Sequence, residues 1–142
     1  MKAKAFLNQA KKLDAMINNK MVEKAQWMEI ATGVTSFSSG ERVQSSGNQQ
    51  KMSAAVDKAV DLEREIDACI DQLIGAKKNI ISKIEQLSFN EYDLLHKVYI
   101  QGIDLYEMAN LKGKSYSWVT TLHGRALKNL QEILDKEQNT AL

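Results

Sequence analysis

Residues 104–130, DLYEMANLKGKSYSWVTTLHGRALKNL, decide how the chain is read, because two helix-start signals and one turn signal fall among them in a fixed order. Asp104 can cap a helix and Glu107 stands three residues on, the spacing at which side chains satisfy the unpaired amides of a first turn. Gly113 follows about two turns later, where a glycine takes up positive φ at little cost and ends the helix. Ser115 caps a second helix, whose apolar positions Val119, Leu122, Ala126, Leu127 and Leu130 recur at steps of three and four and define one buried face. Ala109 is small where two such helices must approach. The pattern predicts a helix-turn-helix.

The opposite face at the start of the second helix carries Tyr116, Ser117, Thr120 and Thr121. In a helix-turn-helix the early residues of the second helix meet base edges in the major groove, and flanking cations and hydroxyls hold phosphates. Tyr116, Ser117, Thr120 and Thr121 are therefore the expected base-reading residues, with Lys112, Lys114, Ser115, Arg125 and Lys128 as phosphate contacts on double-stranded DNA. The bland reading of the same residues is three packed helices with ordinary caps. Charge helps only in part. Residues 104–130 hold four cations against two acids, and residues 88–142 hold six against seven, a net of −1. Non-specific affinity grows with the number of phosphates neutralised, so a single copy is expected to bind weakly and to need dimerisation or another protein.

Residues 99–130, YIQGIDLYEMANLKGKSYSWVTTLHGRALKNL, resemble the fourth, promoter-binding region of bacterial sigma factors. They depart from it at the turn, where Lys112 and Lys114 flank the glycine and apolar residues usually stand. Together with FLNQAKKLDAMINNK (6–20), VQSSGNQQ (43–50) and DLEREIDACIDQLI (61–74), nearly the whole chain resembles small phage and prophage proteins with a sigma-like tail, related in style to the RinA-like and ArpU-like regulators of phage late genes. That resemblance implies a transcriptional role in a bacterial host's cytoplasm and contact with RNA polymerase. It supplies no catalytic residues.

The 142 residues contain no proline, and the chain is rich in Lys, Glu, Gln, Ala and Leu, which favours long uninterrupted helices and an all-α class. Phe6, Ala10, Leu13, Ile17, Met21, Lys24, Met28 and Ala31 mark an amphipathic helix over 2–31. Residues 32–50, with three glycines and five serines, read as a flexible loop. From Met52 the period returns through Val56, Ala59, Glu63, Ile66, Ile70, Leu73, Lys77, Ile80, Ile84 and Leu87, a heptad stripe broken only at Glu63 and Lys77, where Leu62 and Ile74 can take over the seam. The two long helices match well enough to fold back as an antiparallel coiled-coil hairpin over 1–87, or to pair between chains as a homodimer. Ser88 and Glu91 have capping-box spacing, so a three-helix domain is expected over 88–142, with Leu94, Leu95, Val98, Tyr99 and Ile103 inward, Gly102 ending its first helix, and the tail KEQNTAL frayed.

Catalytic chemistry is not indicated. His96 and His123 lie far apart, Cys69 is the only cysteine, no spacing fits a zinc site or a redox pair, and no glycine-rich phosphate loop is present, so neither enzyme activity nor a metal or cofactor is expected. His123 reads as solvent-facing, with a phosphate contact as the sharper alternative. The six lysines against three acids in residues 1–31 read first as a solvated face and second as a nucleic-acid patch. No signal peptide or membrane span is visible. A competing function from another class is an oligomeric assembly or adaptor protein, such as a small packaging subunit, whose helices bind protein.

Overall fold

The computed structural model describes residues 1–33 and 46–140, with the side chains of 46–48 left aside, and the described residues are all-helical. The order is α1 (Ala3–Thr32), α2 (Ser46–Ile84), α3 (Phe89–Leu95), a π-helical turn (His96–Ile100), α4 (Leu105–Lys112) and α5 (Tyr116–Thr140). No described helix is long and apolar enough to cross a membrane.

Several boundaries differ from the sequence reading. The loop expected over 32–50 loses its last five residues to α2, because Gln49, Gln50 and Lys51 are good helix formers and extending a nucleated helix costs little. Its remainder, 34–45, lies outside the described residues. At the other end α2 stops at Ile84; the Glu85 amide still bonds to Ile81, and the amides of Gln86 and Leu87 then close onto Lys83 and Ile84 in tighter turns. α5 runs to Thr140, so the tail expected to fray is helical up to that residue.

The chain divides into two compact units. One consists of Met1–Lys12 and Leu73–Leu142, and the other of Leu13–Gln72. This division crosses α1 and α2 instead of falling between residues 87 and 88, for a reason visible in the first unit's core. Phe6, Leu7 and Ala10 of α1 and Ile80 and Ile84 of α2 belong to the same apolar cluster as Leu94, Leu95, Val98, Tyr99, Met108, Val119, Leu122, Ala126 and Leu130. The ends of the two long helices close the cluster that α3, the π-helical turn, α4 and α5 leave open.

In the second unit, Lys20 pairs with Glu65 at 3.4 Å and Lys24 with Glu63 at 3.9 Å, so residue numbers rise on α1 as they fall on α2. The buried line on α2 is Ala55, Ala59, Leu62, Ile66 and Cys69. The seam read from the sequence is corrected in part: Leu62 takes over from Glu63 as expected, but Met52, Val56 and Ile70 are exposed, and so is Ile74, expected to take over at Lys77. The rotation takes a carboxylate out of the buried line.

The capping signals divide. Asp104 Oδ1 accepts from the Glu107 amide at 2.8 Å, as its spacing implies. Ser88 sits at a helix start with extended backbone but makes no side-chain cap, and Glu91 turns inward instead. Glu91 is 4% exposed and accepts from Asn129 Nδ2 at 2.7 Å, so the spacing read as a capping box ties α3 to α5. A charge this deeply covered is tolerated only with a donor in place.

Candidate nucleic-acid interface

α4 ends in Gly113, at φ 64 and ψ 33, and the Lys114 amide donates to Ala109 O at 3.0 Å across it. This is a left-handed helix stop that a side-chain-bearing residue would strain. Two residues later Ser115 Oγ accepts from the Trp118 amide at 3.1 Å and starts α5. Ser115 is therefore already engaged as a cap, which constrains its expected role at a phosphate.

On α5, Val119, Leu122, Ala126 and Leu130 are buried, while Ser117, Thr121, Gly124 and Lys128 line the opposite side at steps of four and three and are exposed. Tyr116 is 42% exposed, Thr120 is half-buried, and its hydroxyl donates to Ser117 O at 3.0 Å. None of Tyr116, Ser117, Thr120 and Thr121 is buried within the chain. Tyr116 is not a free ring, since it stacks on Tyr106 of α4 with centroids 4.3 Å apart and planes 11° from parallel. Such a pair fixes the orientation of Tyr116 before anything binds. Lys114 Nζ lies 5.6 Å above the ring of Trp118. Tyr106 and Trp118 thus join the surface, although the sequence reading passed over both. Tyr106 stands on the far side of a turn, and only the packing of α4 on α5 shows which aromatic it meets.

Lys112 differs from the other cations. Its ammonium, with that of Lys97, grips Asp93 of α3, whose side chain is 13% exposed. Burial alone would raise the Asp93 pKa, but the hydrogen bonds and charges of Lys112 and Lys97 outweigh it and hold the carboxyl below its ordinary range. Lys112 is thus a strut between α4 and α3. It ties the end of α4 to α3 by an ion pair. Arg125 and Lys128 are exposed.

His123, read as solvent-facing, is half-buried: its Nε2 is 2.8 Å from the Tyr99 hydroxyl. Burial, with Lys4 and Lys11 nearby, lowers its pKa, so it is neutral at pH 7. Burial also raises the Tyr99 pKa. Lys11 Nζ lies 5.0 Å over the Tyr99 ring. Further along α5, Gln131 Oε1 accepts from the Ala3 amide at 2.7 Å and its amide nitrogen donates to Met1 O at 3.2 Å. The first turns of α1 therefore run beside α5, bringing in residues more than a hundred positions away in sequence.

The charge of the surface changes accordingly. The unit that holds α5 counts thirteen Lys and Arg against eight Asp and Glu, a net of +5, and the unit of residues 13–72 counts six against ten, a net of −4. Among the described residues no group of three His, Cys, Asp or Glu is placed to hold a metal ion. No family model, curated protein or solved structure matches the chain.

Proposed function

We propose that the chain is a DNA-binding transcriptional regulator in which α4, the turn at Gly113 and α5 act as a helix-turn-helix carried on an antiparallel hairpin of α1 and α2. In this reading α5 enters the major groove. Tyr116, Ser117, Thr120 and Thr121 meet base edges, and Lys114, Arg125 and Lys128 contact the phosphates. The observation that carries the reading is the outward position of the side chains that open α5, on a unit with a net charge of +5. The sigma-like resemblance supports bacterial RNA polymerase as a protein partner and a phage or prophage setting.

A second reading, an oligomeric assembly or adaptor protein, draws on a different observation. Met21, Met28, Met52, Val56 and Ile70 in the unit of residues 13–72 are exposed apolar side chains suited to protein contact. Selection from random duplexes by the purified protein separates the two readings, since only the regulator enriches a motif. Tyr116→Ala with Thr120→Ala is then expected to reduce discrimination between the selected site and random duplex by at least about tenfold, at one or two altered contacts of roughly 1–3 kcal/mol each, with an unchanged circular dichroism spectrum. Undiminished discrimination would remove these residues from the reading head.

A further inference from the structure

The lysines at the start of α1 find no use in the reading above, yet the fold sets them beside α5. Lys4 and Lys11 are two helical turns apart, on one flank of α1, and both are exposed. Lys11 stands over Tyr99, whose hydroxyl meets His123 of α5, and the backbone of Met1 and Ala3 is tied to Gln131 two turns further along the same helix. The next residue after His123 is Gly124, exposed and in the middle of a 25-residue helix. Glycine weakens a helix interior, and a methyl group placed at Gly124 would meet nothing within 4 Å, so no contact inside the chain calls for its smallness.

We infer that Lys4 and Lys11 form a line of phosphate contacts on the α1 flank of α5, and that Gly124 is where the sugar-phosphate strand of duplex DNA comes closest to the helix. A recognition helix lying in a major groove has a backbone strand along each side. Arg125 faces one strand, and the α1 lysines face the other. This inference rests on α5 reading duplex DNA. It adds the N-terminal residues to the interface and supplies cations that the tail of net charge −1 over 88–142 lacks.

The test is binding of a labelled duplex across a salt series. Each phosphate contact contributes about 0.9 to the slope of log affinity against log salt, so K4Q/K11Q is expected to flatten the slope by about 1.8. The affinity lost between about 50 and 200 mM salt then shrinks by about tenfold. K4R/K11R should keep the wild-type slope, which separates a charge effect from a packing effect of Lys11 on Tyr99. K51Q/K58Q, in the unit of net charge −4, should leave the slope unchanged. Gly124→Ala should raise the melting temperature and weaken binding, whereas Gly75→Ala, also without neighbours around its added methyl group, should raise the melting temperature alone. A wild-type slope in K4Q/K11Q, or full affinity in Gly124→Ala, overturns the inference and leaves the reading of α5 intact. If the wild-type protein ignores duplex at every salt concentration, the reading of α5 fails and the inference falls with it.

Discussion

The two compact units are made partly from the same two helices, yet they solve the burial problem differently. In the unit of Met1–Lys12 and Leu73–Leu142, side chains from α1, α2, α3, the π-helical turn, α4 and α5 close around one cluster, and all eight of the largest fully buried side chains lie there. Among the described residues of Leu13–Gln72, the buried apolar ones are Ile17 on α1 and the line Ala55, Ala59, Leu62, Ile66 and Cys69 on α2. Helices that pair along one seam cover only the residues between them, and a large side chain beside the seam keeps one side in water. Where elements pack from several directions, Leu7, Ile80 and Ile84 are fully enclosed. Charge follows the same division, +5 against −4.

The most severe way to break this comparison is to truncate one isoleucine in each unit. Ile84→Ala, at a site with no exposure, is expected to cost about 2–5 kcal/mol. Ile66→Ala, at 8% exposure, is expected to cost about 1–2 kcal/mol because the cavity can open to water. Urea unfolding followed by circular dichroism measures both, and equal costs would refute the contrast. Asp93→Asn gives a smaller effect, about 1–2 kcal/mol at pH 7, since it removes two charged partners at a partly covered site. Its sign with pH is fixed. A carboxyl held below its ordinary pKa stabilises the fold above that value, and the contribution is lost as pH falls through the ordinary carboxylate range and below it. The variant should therefore lose less stability than the wild type on acidification from about pH 5 to pH 3, and parallel curves would mean that Asp93 is not the anchor of Lys112. Smallest of all is V56Q/I70Q in the other unit. Both positions are exposed, so each change should stay within about 0.5 kcal/mol, whereas a loss above about 2 kcal/mol would return them to a buried seam.

Local signals in the sequence were strong wherever a backbone turn had to be made. The absence of proline and the steps of three and four were sufficient to read the described residues as all-helical. The Asp104 cap, the Gly113 stop and the Ser115 start each rest on neighbours within six residues, and each is present as its spacing implied. The inward set Leu94, Leu95, Val98 and Tyr99 and the buried face of α5 were legible for the same reason, except that Leu127 and Ile103 are only half-buried.

Readings that depended on which side a distant helix would take were not legible. The α2 seam could be drawn through Glu63 or Leu62 with nearly equal periodicity, and only the approach of α1 selected Leu62. Glu91 had the spacing of a cap, and Asn129, thirty-eight residues away, drew it inward. The ion pair of Lys112 with Asp93 joins positions nineteen residues apart, and His123, read as solvent-facing, is half-buried against Tyr99. The order of the helices and the turn between α4 and α5 come from dihedral preferences and capping between near neighbours, which the amino-acid string carries. The charge of the face beside α5, the partners of its cations and the closure of the core come from segments far apart in the chain, and only the packed structure brings these together.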